Sequence, residues 1–461
     1  MGIGTFVNQS AHPAVVVPVP ARSAASANRA RASSVLVPVP ARGGDLILVA
    51  VVIALGIFGL LMQYSAGTDF SLQTYGSAAY IFNKQLLWMA IGTLTAFILS
   101  RLDYHLWRKF ALPLMGVTVI LLIAVLINNE VRNNAVRTFF GGSVQPSELA
   151  KLATTIYLSV WLYSKREHLH DIQLGLIPLA FILGAIGGLI FIQPDLSAAV
   201  TIFILGGLLF FLAGGDMRQI ILFCIVALAA GWLVVQFSST GKARIGSYIA
   251  GLKDPLKSSD HVLWSLEAIF KGKLFGVGIG RATTKLIGLP FAATDSIFAV
   301  IVEELGLFGA LGLTSLYAVL AWRGLKIAGQ APDSLGSVMA AGLTFWIVIE
   351  AAINMAVMVG LLPFAGNALP FVSAGGSNLL STLAAIGILL NISRRRSGQT
   401  VSAEGPRRGE GGRGSPGSST GRGSPGSSTG ERKTYSASVD LRRRDRRRSV
   451  PRTRRPANHA R

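Results

Sequence analysis

Cysteine is almost missing: Cys224 is the single one in 461 residues, and it lies inside an apolar run. A disulfide framework and a cysteine-based metal site are therefore excluded, and the redox compartment cannot be read from thiols. Charge is also scarce. Asp, Glu, Lys and Arg together make up 14% of the chain, where a soluble domain carries about 25%. No apolar stretch in residues 1–44 is long enough for a signal-peptide core with a cleavage site. Acidic residues number only 22 against 43 basic ones, for a net charge of +21. Of that surplus, +14 falls in residues 393–461. The basic balance thus belongs to a tail and does not indicate a nucleic-acid-binding fold.

What the chain has in abundance is apolar sequence, at 51% hydrophobic residues. Long continuous runs recur between residues 45 and 392. Their continuity, without alternation, argues for membrane-spanning helices and against a β-barrel. Ten candidate spans follow: roughly 45–64, 85–101, 109–128, 148–163, 173–192, 197–214, 219–237, 296–322, 337–361 and 376–392. Each approaches the ~20 residues that cross a bilayer core. The expected fold class is an all-α polytopic membrane protein with about ten transmembrane helices and one long extracytoplasmic loop, about 238–295.

An even number of spans puts both termini on one side. The short loops there carry Arg101, Arg108, Lys109, Lys165, Arg166, Arg218, Arg323 and Lys326, followed by "SRRRS" at 393–397. The positive-inside rule makes that side cytoplasmic. The flanking segments are low in complexity. "VPVPAR" occurs at 17–22 and 37–42, and "GRGSPGSST" at 412–420 and again at 421–429. Such composition cannot bury enough apolar surface to order itself. Residues 1–44 and 397–461 are therefore expected to be disordered cytoplasmic arms around a membrane domain at 45–396.

Several charged motifs sit in or beside the spans. "TDSIFAVIVEELG" at 294–306 opens the eighth span with Asp295 and carries Glu303 and Glu304 two turns further on. Thr or Asp ahead of an apolar run is ordinary helix-capping chemistry, but a cap carboxylate can hold a second role. Glu303 and Glu304 lie about 100° apart on the helix, so at least one faces the bundle. At membrane depth that requires a partner cation, a protonated acid or a water-filled cavity. "GGSVQPSELAKL" at 141–152 opens the fourth span, with Ser147 as the expected cap and Glu148 and Lys151 one turn apart. In "IQPDLSAA" at 192–199, Asp195 reads as a turn or cap residue. "KGKLFGVGIG" at 271–280 has spaced glycines but no preceding parallel strand, so close backbone packing is expected there and not nucleotide binding. The long loop is basic through Arg244, Lys253, Lys257, Lys271, Lys273, Arg281 and Lys285. It is either a solvated face or a surface for an anionic substrate. Pro363, Gly366, Pro370, Gly375 and Gly376 break the apolar sequence between the last two spans. Broken backbone at membrane depth must be buried in protein or line a cavity, so a re-entrant element beside a substrate cavity is expected.

Taken together, "QPSELAK", "QPDL", "TDSIFAVIVEELG" and "LPFVSAGGSNLL…GILLNISR", in this order over about 45–396, resemble the SEDS family (shape, elongation, division, sporulation), more the FtsW-like than the RodA-like members. The resemblance implies a peptidoglycan glycosyltransferase that polymerises lipid II, an undecaprenyl-pyrophosphate-linked disaccharide peptide, at the outer face of the cytoplasmic membrane. It also implies a class B penicillin-binding protein and other division or elongation proteins as partners. The family's essential aspartate maps to Asp295, the expected general base. Arg137, Lys151, Arg244 and Lys285 become candidates for stabilising pyrophosphate. Glu148, Glu303 and Glu304 would hold cations or backbone in place, and Ser373, Gly375 and Gly376 belong to the cavity segment. No cysteine, histidine or carboxylate cluster marks a metal site, although a divalent cation between carboxylate and pyrophosphate is compatible with the chemistry. The chain departs from the family at Ala293, where a histidine is common, at Ile287 and Phe291, where glutamates are common, and at Ser373–Asn378, which replaces "SYGGSS". Two other functions fit the same motifs: a lipid II flippase, and a non-catalytic scaffold in which Asp295 is a plain cap.

Overall fold

A computed structural model describes residues 44–128 and 144–395. The two terminal arms, apart from Gly44, and Arg137 lie outside the described residues. Within them the protein is all helix: α1 (Leu46–Tyr75), α2 (Tyr80–Arg101), α3 (Trp107–Asn128), α4 (Pro146–Lys165), α5 (Ile177–Ile192), α6 (Leu196–Leu212), α7 (Met217–Phe237), α8 (Ser239–Lys253), α9 (Asp260–Gly272), α10 (Thr284–Ile287), α11 (Ile297–Gly329), α12 (Ser334–Met358) and α13 (Gly376–Arg394).

All ten spans read from the sequence coincide with helices, namely α1–α7 and α11–α13. Eight of the described helices are long and apolar enough to cross a membrane. The two others have local reasons. The apolar helix α6 runs only 17 residues. Glu148, Lys151 and a buried row of Thr and Ser lower the apolarity of α4. The stretch 238–295 lies between two spans, as expected of the long loop, and it carries three short helices of its own, α8, α9 and α10. In α9, Val262, Ser265 and Ala268 recur at helical spacing and are buried, which is the pattern of a short amphipathic helix.

Helix starts are fixed by short side chains. The carboxylates of Asp45, Asp195, Asp216 and Asp333 accept from backbone N–H groups in the first turns of α1, α6, α7 and α12, satisfying donors that have no partner within the helix. Asp195 is thus the cap expected of it. Ser147 is not: α4 begins at Pro146 with Gln145 at the cap position. Proline's fixed φ suits the first helical residue, and it moves the boundary forward.

The centre of the bundle is α11, α12 and α13, with α4 and α2 against them. In α13, 83% of the most apolar window is buried, and in α7 only 6%. Leu228, Trp232, Leu233 and Phe237 of α7 are exposed, as expected where the solvent is lipid and not water. Close approach is bought with glycine in two places that matter for the site. A side chain at Gly59 of α1 would collide with the carbonyl of Phe371, and one at Gly376 with the ring of Trp88.

The long helix α11 is broken. Gly306 has φ 69° and ψ −166°, a conformation open to glycine and costly for other residues. The break frees carbonyls above it and N–H groups below it. The glycine-spaced loop after α9 takes both sets. Val277 and Gly278 donate N–H to the carbonyls of Glu303 and Glu304 at 2.9 Å each, and Leu307 and Phe308 donate to those of Lys273 and Leu274 at 3.0 and 3.3 Å. Close backbone packing was the expectation for these glycines, and it is what the loop does. Backbone at this depth has no water to fall back on, so the loop makes the break tolerable.

Candidate active site

Asp295 lies in a tight turn, 291–296, that leads into α11. The turn closes through Phe291, whose carbonyl accepts from Thr294 N–H at 2.9 Å and Ser296 N–H at 3.2 Å, and Phe291 itself has φ 52°. Asp295 is not the helix cap. Ser296 holds that position and makes no side-chain cap bond. The Asp295 carboxylate is half-buried and faces Gly366: a Cβ built on that glycine would lie 3.4 Å from Oδ2.

The floor of this turn is the broken segment between α12 and α13. Gly360, Gly366 and Phe371 take positive φ, and the segment makes no helix, as its prolines and glycines foretell. Polar side chains from neighbouring helices satisfy its backbone. Gln63 Nε2 donates to the carbonyls of Ala293 (2.8 Å) and Val372 (2.6 Å). Asn354 Nδ2 donates to those of Asp295 (2.8 Å) and Asn367 (2.6 Å). Gln85 Nε2 reaches Ser373 O at 3.2 Å, and the Tyr317 hydroxyl donates to Pro370 O. Ser373 is buried, accepts from Leu369 N–H (2.7 Å) and donates to Thr294 O (2.6 Å). It therefore binds the segment to the Asp295 turn. Gly375 is the cap residue of α13, and Gly376 packs under Trp88. Ser373 thus acts through its hydroxyl, and Gly375 and Gly376 through the backbone, in shaping the segment beneath the Asp295 turn.

Two outer helices complete the rim. The Arg244 guanidinium of α8 lies over the Phe364 ring, 5.5 Å from its centroid. Phe364 stacks on His261 of α9 at 3.8 Å and 14°. His261 also lies parallel to Phe291, 5.7 Å away, and its Nδ1 is 3.3 Å from Ser296 Oγ. Burial pushes the imidazole down to about 4; Arg244 reinforces the shift and Asp260 opposes it. A cleft of about 100 Å³ opens beside this stack, lined by Arg244, Tyr248, Ser258, Ser259 and Phe364 among others. Ala293 stands where the family resemblance led one to expect a histidine, and an imidazole nevertheless reaches the same turn from α9.

The remaining predicted residues fall into three buried groups. Lys151 is paired with Glu148 at 2.9 Å and with Glu350 of α12, and Asn378 Nδ2 donates to Glu148 at 2.8 Å. Glu350 and Asn354 are four residues apart on one face of α12, a rise of about 6 Å, so this cluster is the layer next to the Asp295 turn. Lys285 pairs with Glu304 at 2.9 Å, and the Ser65 hydroxyl donates to the same carboxylate at 2.6 Å. Among the described residues Glu303 pairs with no cation; Thr283 N–H donates to it at 2.8 Å, and the hydroxyls of Thr283 and Thr284 also donate to it. Both glutamates are fully buried. Ser147, in place of capping α4, donates to Asp195 at 2.8 Å together with Gln145 Nε2 at 2.7 Å. No group of three or more His, Cys, Asp or Glu side chains able to hold a metal occurs among the described residues.

Sequence reasoning missed Glu350, Asn354, Gln63 and His261. The first three carried a signal, since each is a polar residue inside an apolar run. His261 carried none, because its neighbours are set by how α9 docks.

Residues 45–398 match the family model for the FtsW/RodA/SpoVE cell cycle proteins. The chain belongs to that family. It is 36% identical over 353 residues to a probable peptidoglycan glycosyltransferase FtsW of Trichlorobacter lovleyi, a match covering 76% of this chain and 93% of that one. It is equally 36% identical over 355 residues to the stage V sporulation protein E of Bacillus subtilis, covering 76% and 97%. Among solved structures, one described as a peptidoglycan synthase complex that coordinates polymerization and crosslinking aligns with TM-score 0.64 at 26% identity, over 76% of this chain and 98% of that one. The rod shape determining protein RodA of Thermus thermophilus aligns with TM-score 0.57 at 26% identity, over 77% and 97%. This FtsW/RodA/SpoVE protein is accordingly a multi-pass membrane protein of the SEDS type.

Proposed function

We propose that the protein is a peptidoglycan glycosyltransferase that polymerises lipid II into glycan strands, acting in septal wall synthesis. The relatives named FtsW support both the activity and the septal assignment. The observation that carries the chemistry is the contrast among carboxylates in the membrane domain. Glu148, Glu303, Glu304 and Glu350 are buried, whereas Asp295 is half-buried on a braced turn against a broken segment.

In the proposed reaction the acceptor's sugar hydroxyl attacks the anomeric carbon of the donor. Asp295 takes the hydroxyl proton as general base, a glycosidic bond forms, and the bond to undecaprenyl pyrophosphate breaks. The leaving group departs as an anion, so cations matter more than a general acid. In this reading Arg244, stacked over Phe364 on the rim, meets it. Lys151 and Lys285 are each held by carboxylates, which supports a positioning role for them in this reading and not a direct contact with pyrophosphate. Arg137 remains a candidate from the sequence alone. The site faces the outside of the cytoplasmic membrane, both termini lie in the cytoplasm, and the partner is a class B penicillin-binding protein that crosslinks the product.

Purified protein given lipid II in detergent, with and without that partner, tests the reading. Polymer from the wild type and none from an equally folded Asp295→Asn variant is expected. Equal product from both would place the base elsewhere. No product from either, in the partner's presence, would favour a flippase, which needs no polymerisation, or a scaffold.

A further inference from the structure

Ser296 stands at the cap position of α11 with its side chain fully buried, yet its hydroxyl does not cap the helix. Serine at that position normally accepts from the N–H two or three residues on. Here the hydroxyl meets His261 Nδ1 at 3.3 Å. The imidazole is held in turn by Phe364 of the broken segment and by Phe291 at the start of the turn. One ring thus touches both ends of the six-residue turn that carries Asp295, and the segment that faces its carboxylate. Its own helix is anchored independently: Ser265 Oγ donates to Met358 Sδ at the end of α12.

Resting on the glycosyltransferase reading, we propose that His261 is a positioning residue, which sets the direction of the Asp295 carboxylate by gripping Ser296 and stacking on Phe364. Ser296 is the next residue after Asp295, so a hydroxyl held from α9 fixes the peptide plane between them. It also ties the turn to the broken segment without using a bond inside α11. Helix α9 is thereby coupled to the reacting group, although His261 itself touches no reacting atom. Alignment errors of about 1 Å at a base cost on the order of 10²-fold in rate, and loss of one brace among several is expected to cost less.

Four variants test this: His261→Phe keeps the stack and loses the hydrogen bond, His261→Asn returns a nitrogen near the Nδ1 position, Ser296→Ala removes the other partner, and the double variant removes both. In lipid II polymerisation, His261→Phe and Ser296→Ala are each expected to lower kcat about tenfold with KM within about twofold of wild type. His261→Asn should recover to within about threefold. The double variant should be no worse than either single one, as two partners of one bond require. In parallel, hydrogen exchange of the 291–296 backbone should speed up in His261→Phe and Ser296→Ala. Wild-type kcat and wild-type exchange in His261→Phe, or additive losses in the double variant, would overturn the proposal. Absence of polymer from the wild type would fail the activity reading alone, and exchange at 291–296 would still decide the role of His261.

Discussion

Two kinds of carboxylate share the membrane domain. Around Lys151, two glutamates, one lysine and Asn378 bond to one another in a buried knot between α4, α12 and α13. One layer away, Asp295 sits half-buried on a turn whose backbone is braced by Asn354, Gln63 and Ser373. In the first region the charged groups supply the cohesion. In the second, neutral amides and hydroxyls hold the backbone so that a charged group need not. The amides and hydroxyls that brace this turn keep the same bonds whichever protonation state Asp295 takes.

This contrast can be broken from either side. The largest expected effect is on folding. Lys151→Ala leaves Glu148 and Glu350 buried face to face, and loss of one partner from a buried ion cluster costs about 3–5 kcal/mol. The variant should fail to accumulate in the membrane by immunoblot, and the triple change Lys151→Met, Glu148→Gln, Glu350→Gln should restore its amount. Asp295→Asn should do the reverse, losing at least about 10²-fold in polymerisation, the scale of general-base catalysis, with an unchanged melting curve in detergent. Equal instability of the two variants would erase the distinction.

A smaller effect is expected at the brace. Asn354→Leu removes the amide that donates to the carbonyls of Asp295 and Asn367, and loss of a buried hydrogen-bond partner costs about 1–3 kcal/mol. Both melting temperature and kcat should fall, which separates this variant from Asp295→Asn. Smallest is a pH effect. His261 titrates near 4 in the fold against an ordinary 6.5, so the unfolded chain binds the extra proton first. Its contribution to stability is complete above about pH 6.5 and is lost as pH falls towards 4. Melting temperatures in detergent should decline over that window less steeply in His261→Phe than in wild type. Carboxylates such as Asp103 add their own dependence to both and cancel in the difference.

The bundle was legible because lipid demands long apolar runs, and all ten of those runs are helices. What hydropathy could not register were α8–α10, which are too short to cross a membrane and carry Lys242, Arg244, Lys253, Asp260, Glu267, Lys271 and Lys285 among their apolar residues. Asp295 was legible through the motif around it, but its role as a cap was misplaced by one residue, because the choice between Thr294, Asp295 and Ser296 depends on the turn closed by Phe291. Lys285 and Glu304 were both singled out, yet nothing in their spacing said they would neutralise each other, since that pairing requires α10 to fold back onto α1 and α11. Glu350 was there to be found as an acid in the apolar run "TFWIVIEAAIN".

The break at Gly306 has a mechanical consequence. Backbone hydrogen bonds splice residues 303 and 304 to the loop at 277 and 278, and the rod below to residues 273 and 274. The upper piece of α11, with Asp295 at its tip, is therefore yoked to the hairpin of α9 as firmly as to its own continuation. A displacement of α9 would therefore reach α11 on both sides of the break at once, through residues 303–304 above it and 307–308 below it, and would change the angle between the two pieces.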